Sequence, residues 1–81
     1  MKVRVKLFAG AKQAAGSDTI EIVLPAGATV AQLRDELARR APALDALLPQ
    51  LMFAVDKQYA DDTVEIQQNA EVACIPPVSG G

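Results

Sequence analysis

The chain contains no histidine and no tryptophan, a single cysteine, one tyrosine and two phenylalanines. Without histidine, neither a Ser-His-Asp nor a Cys-His constellation can be assembled, and no glycine-rich phosphate loop is present. One cysteine cannot close a disulfide within the chain, and no zinc or iron–sulfur ligand spacing exists. Independent catalysis and metal binding therefore have little chemical basis, and the chain is expected to act as a substrate or carrier. Three aromatic rings leave little for base stacking, and a formal net charge of −2 disfavours nucleic acid and anionic membranes as partners. No apolar run approaches the roughly 20 residues of a membrane span, and Lys2, Arg4 and Lys6 interrupt the first apolar stretch, so neither a signal peptide nor a membrane anchor is expected. The expected location is the cytosol.

What the chain does have is apolar material: 51% of its 81 residues are hydrophobic. A chain of this size forms one domain that buries roughly 60 to 65% of its unfolded surface. Lys2 to Leu7 alternates, with Val3, Val5 and Leu7 on one face, which predicts a half-buried strand. The other face carries Lys2, Arg4 and Lys6, either a solvated face or a steering stripe for an acidic partner. Phe8 to Gly16 predicts a turn of helix closed by glycine, and Gly16-Ser17-Asp18 a turn. Thr19 to Leu24 predicts a strand with Ile20, Ile22 and Leu24 on one face, ended by Pro25 and paired with the first strand as a hairpin.

Thr29, with Gln32 three residues later, reads as a capping box opening a helix. Val30, Leu33 and Leu37 form its apolar stripe, Arg39 and Arg40 suit its C-terminal dipole, and Pro42 ends it near Arg40. A short turn is expected over Ala43 to Leu48, a buried strand over Gln50 to Val55 turned back by Asp56-Lys57, and a brief extended piece over Gln58 to Ala60. Asp61-Asp62 reads as a solvated turn, and Val64 to Gln67 as loop or short strand. Asn69 is suited to left-handed φ, and Glu71 to Ile75 is the last strand, stopped by Pro76. The order strand, strand, helix, strand, minor strand, strand, with a helix apolar along one stripe, predicts an α+β fold: a mixed sheet with one main helix packed on one face. The first and last strands then lie parallel in the centre, the β-grasp (ubiquitin-like) arrangement.

The final residues are Pro76-Pro77-Val78-Ser79-Gly80-Gly81. Glycine alone lets a backbone thread a narrow channel at any φ, so a terminal Gly-Gly is suited to presenting its carboxylate to another enzyme. The prolines hold the exit segment extended, and no side chain from Pro76 to Gly81 is charged. The expected division is a body over 1–75 and an extended tail over 76–81. Cys74 alternates with Val72 and so falls on the core side, as a small buried apolar residue rather than a sulfur relay. Phe8, Met52, Ala73 and Ile75 are expected on the opposite face, as an apolar patch beside the tail.

Leu7-Phe8-Ala9 with Lys12 and Gly16, Ala54-Val55-Asp56, and above all Glu71 to Gly81 together resemble the small sulfur-carrier subunit of molybdopterin synthase, over essentially the full length. Gln50-Leu51-Met52-Phe53-Ala54 also looks like the third strand of ubiquitin, in which the position matching Met52 faces a partner. The resemblance implies that a ubiquitin-activating-like adenylyltransferase uses ATP to adenylate Gly81, with Gly80 allowing threading, and that a sulfur donor then converts it to a thiocarboxylate. That group would deliver sulfur to cyclic pyranopterin monophosphate on the large subunit of a heterotetramer. Catalytic acids and bases would reside on the large subunit, and no cofactor would be held permanently. Phe8, Lys12, Met52, Ala73, Ile75, Pro76, Pro77, Val78 and Ser79 would be the partner-binding residues. Sulfur delivery for thiamine thiazole, and a ubiquitin-like modifier or interaction module, are the alternative readings.

Overall fold

The structure, a computed structural model, describes residues 1–76; Pro77, Val78, Ser79, Gly80 and Gly81 lie outside the described residues. The elements run β1 (Lys2–Leu7), α1 (Ala9–Ala15), β2 (Thr19–Val23), α2 (Val30–Arg40), β3 (Met52–Val55), β4 (Gln58–Ala60) and β5 (Val72–Ile75). The strands form one five-stranded sheet in the order β2-β1-β5-β3-β4. β1 pairs with β2 antiparallel and with β5 parallel, and β3 pairs with β5 and β4 antiparallel. The expected parallel central pair and β-grasp topology are therefore what the chain adopts.

Register follows from burial. Val5 lies opposite Ile20 on one side and Val72 on the other, and Leu7 opposite Cys74, which in turn faces Phe53. Val5 and Cys74 are fully buried, and Leu7, Val72 and Phe53 nearly so. A slip of one residue would turn this whole set outward.

Over the buried face lies α2. Its first turn is closed by the capping box: the Gln32 N–H donates to Thr29 Oγ1, and the Thr29 N–H donates to Gln32 Oε1 at 2.9 Å. The stripe of Val30, Leu33 and Leu37 is fully buried. Burying three such side chains contributes about 5 to 9 kcal/mol. An isolated helix of this length is marginal in water, so packing rather than propensity holds α2 in place. Ala41 caps it, and Pro42 opens a 3₁₀ turn over Pro42–Leu44.

Two local expectations are corrected. Within Phe8 to Gly16, Ala9–Ala15 is a seven-residue helix rather than a single turn, and Gly16 closes it in the left-handed region at φ 72°. The segment after Pro42 makes two 3₁₀ turns, the second over Leu48–Gln50, so β3 starts at Met52 and not at Gln50. Pro49 lies inside that turn, and its missing N–H suits a helical start better than a central ladder. Val64 to Gln67, expected as loop or short strand, is irregular chain with one bridge. Ile66 is 1% exposed, and a single antiparallel bridge joins Thr29 to Glu65. The Ile66 N–H donates to the Ala28 carbonyl at 2.8 Å, which anchors the long connection under the N-terminus of α2.

Candidate functional site

The helices cover one side of the sheet and leave the other open. Alternation along each strand decides what the open side shows. Lys2, Arg4 and Lys6 stand out of β1, all exposed, while Val3, Val5 and Leu7 turn inward. In β5 the inward residues are Val72 and Cys74, which leaves Ala73 and Ile75 outward and half-buried. In β3, Met52 lies directly opposite Ile75, and Ala54 opposite Ala73. One cross-strand row therefore runs Tyr59, Ala54, Ala73, Lys6, Thr19.

The two alanines floor a shallow trough. Lys2, Arg4, Lys6 and Phe8 line it on the β1 side, and Glu71 and Lys57 at the foot of β5. Phe8 is 45% exposed and Met52 46% exposed. Phe8 is held at the end of β1, where its N–H donates to the Cys74 carbonyl at 3.3 Å. Helix α1 beyond it begins with Ala9 at φ 49°, a conformation that costs a residue with a Cβ about 1 to 2 kcal/mol. Backbone strain of this kind commonly accompanies functional positions. The expected patch of Phe8, Met52, Ala73 and Ile75 is thus assembled on one face, with half-buried Pro76 leading out of β5 beside it.

Lys12 lies elsewhere. It stands in α1 and lines a separate shallow depression with Gly16 and Asp18. Tyr59 and Val23, 68% and 58% exposed, extend the apolar character of the open face toward both sheet edges. Sequence reasoning did not single them out. The signal that finds them is the pairing itself, since Tyr59 opposes Ala54 and Val23 opposes Lys2.

Cys74 is fully buried on the opposite side of β5. Burial pushes its thiol up to about 11, only partly countered by the Arg34 charge nearby, so it stays protonated and a poor nucleophile at neutral pH. A sulfur relay through this thiol is therefore disfavoured. Asp61 and Asp62 are not a coupled acid–base pair. Asp61 accepts from the Thr63 hydroxyl and N–H, which holds its carboxyl below the ordinary range, and Asp62 pairs with Arg34 at 3.1 Å. Among the described residues, no group of three or more His, Cys, Asp or Glu side chains is placed to hold a metal ion, and no helix is long and apolar enough to cross a membrane.

A helix laid across a five-stranded mixed sheet whose first and last strands pair in parallel at the centre defines a ubiquitin-like β-grasp protein. Residues 5–81 match the ThiS family, and the chain belongs to it. Among its relatives is the molybdopterin synthase sulfur carrier subunit of Arabidopsis thaliana, 32% identical over 81 residues, covering 100% of this chain and 84% of the relative. The protein of the same description from Dictyostelium discoideum is 37% identical, covering 96% and 94%. In three dimensions the chain is similar to SAMP1 from Haloferax volcanii, with a TM-score of 0.88 and 29% identity over 100% of both chains.

Proposed function

We propose that this chain is the sulfur-carrier subunit of a molybdopterin synthase, with a body over 1–75 and a working tail over 76–81. The observation that carries this reading is the likeness along the whole length to the sulfur carrier subunits of Arabidopsis thaliana and Dictyostelium discoideum. The open-face patch beside the root of the tail supports it, because a docked partner there would also receive the terminus. In this reading Gly81 is adenylated at the expense of ATP by a ubiquitin-activating-like enzyme, and a sulfur donor displaces AMP to leave a thiocarboxylate. The large subunit, two copies pairing with two of this chain, supplies the pocket in which that sulfur reaches cyclic pyranopterin monophosphate. The chain itself contributes the acyl group and a docking surface and holds no permanent cofactor. Gly80 permits threading, and Pro76, Pro77, Val78 and Ser79 line the partner's channel.

The test is intact-mass analysis after incubation with ATP, the activating enzyme and a sulfur donor. The expected product has one sulfur in place of one oxygen, localised to Gly81 by fragmentation. An unchanged mass under conditions that load another carrier of this family would refute the reading. The likeness to SAMP1, also called small archaeal modifier protein 1, favours a second reading in which Gly81 forms isopeptide bonds, and lysine adducts in the same experiment would establish it.

The patch makes a separate prediction. Met52→Asp or Ile75→Asp places a carboxylate in the apolar centre of the docked face, and large-subunit affinity should fall by at least about 30-fold, a hot-spot loss of about 2 kcal/mol. Both side chains are partly exposed in the free chain, so the melting temperature should stay close to wild type. Calorimetric titration showing unaltered affinity for both variants would remove the patch from the docking surface.

A further inference from the structure

Charge on this molecule is separated in space. The chain carries a net charge of −2. The trough on the open face is lined by Lys2, Arg4, Lys6 and Lys57 against Glu21 and Glu71, a local net of +2 that leaves −4 for the rest. Among the described residues, Arg4 is the only one of the four with an acidic partner, Glu21 at 3.8 Å; the other ion pairs there are Arg34–Asp62 and Arg39–Glu36. Lys2 and Lys6 therefore project from β1 with no ion pair to any described residue, beside an apolar strip on β5 and β3. Lys6 abuts Ala73 in register, so the cationic row and the apolar patch share a border.

A row of uncompensated cations along one edge of a small apolar face fits a partner face with an apolar centre and carboxylates on the matching side. We propose that Lys2 and Lys6 are steering residues for an acidic border on the large subunit, setting how fast and in which orientation the open face docks. This rests on the sulfur-carrier reading, which names the occupant. The exposure of both side chains decides the kind of effect: rim charges act mainly on association rate and its salt dependence, whereas the desolvated apolar centre acts on dissociation. Three of the four cations lie along the β1 side of the patch, with Lys57 alone at its foot, and such a lopsided field also penalises the reversed orientation.

The experiment compares two variants of equal net charge by stopped-flow association with the large subunit from the same organism. Lys2→Gln with Lys6→Gln removes two cations from the open face. Arg39→Gln with Arg40→Gln removes two from the far end of α2, both exposed. At low ionic strength the first pair should slow association by about three- to tenfold and flatten its salt dependence, while the second changes it by less than about twofold. At about 1 M salt, where the screening length is about 3 Å, all three chains should associate at the same rate. Dissociation rates should stay within about twofold of wild type. If Lys2→Gln with Lys6→Gln associates as fast as wild type, or the α2 pair slows it equally, the steering role is wrong and the sulfur-carrier reading stands. A wild-type chain that fails to bind the large subunit at all overturns that reading and this inference together.

Discussion

A chain ending at Ser79 should fold normally and yet fail to be loaded with sulfur. Removing Gly80 and Gly81 shortens the extended reach of the terminus by about 7 Å and leaves a carboxylate on a residue that carries a Cβ. Adenylyl transfer, in which a carboxylate oxygen attacks the α-phosphorus of ATP and pyrophosphate leaves, requires the reacting atoms within about 3 to 3.5 Å, and misplacement of only about 1 Å can cost a hundredfold. Adenylation should therefore drop by more than about 1,000-fold, below detection in a pyrophosphate-release assay. Gly81→Ala keeps the reach and adds one methyl group, so it should be impaired less than the truncation. The structural elements end at Ile75, and neither change removes a core contact among the described residues. The melting temperature should accordingly match wild type, and large-subunit docking through the open face should persist. Wild-type sulfur exchange by the truncated chain would show that the terminal carboxylate is not the reacting group.

Most of the body was legible because the signals were local and agreed with one another. The alternation of β1, the capping box of Thr29 and Gln32, the stripe of Val30, Leu33 and Leu37, and the left-handed Asn69 are each decided within a few residues of chain. The open-face patch was legible for a related reason: once Cys74 is assigned inward, alternation leaves Ala73 and Ile75 no choice. What escaped depends on pairing across the fold. Ile66 sits in a segment too short to show a period, and its burial is set by the chain before α2. Tyr59 gains its place beside the trough from its partner Ala54. The turn at Asp56-Lys57 was legible, but not its left-handed backbone at φ 50° and 70°, which lacks the usual glycine and is supported by exchange with Glu71: the Asp56 N–H donates to the Glu71 carbonyl, and Asp56 Oδ1 accepts from the Glu71 N–H.

Arg34 is the clearest case of a residue whose role the linear pattern hides. On the sequence it is one more charge on an amphipathic helix, which reads as a solvated position. In the fold its guanidinium lies 4.9 Å from the centre of the Phe53 ring and donates to the carbonyls of Leu48 and Leu51, the latter at 2.9 Å, as well as to Asp62. One side chain thus ties α2 to the turn that leads into β3 and to the segment leaving β4. Its bond to the Leu51 carbonyl fixes the residue immediately before Met52, so the helix side of the molecule positions a side chain on the open side.

Arg34→Ala should lower unfolding free energy by about 2 to 4 kcal/mol, because two backbone carbonyls lose a charged donor and the Phe53 ring loses its cover. For a domain of this size that corresponds to a drop of more than about 10 °C in melting temperature. Asp62→Ala removes only the exposed member of the ion pair and should cost less than about 1 kcal/mol. Arg34→Lys should recover only part of the loss, since an ammonium group cannot present the planar fork that spans two carbonyls and an aromatic face. If Arg34→Ala and Asp62→Ala proved equally mild in denaturant titration, the arginine would be an ordinary surface ion pair. The turn before β3 would then have to be held by its own 3₁₀ hydrogen bonds and the burial of Leu48 and Leu51.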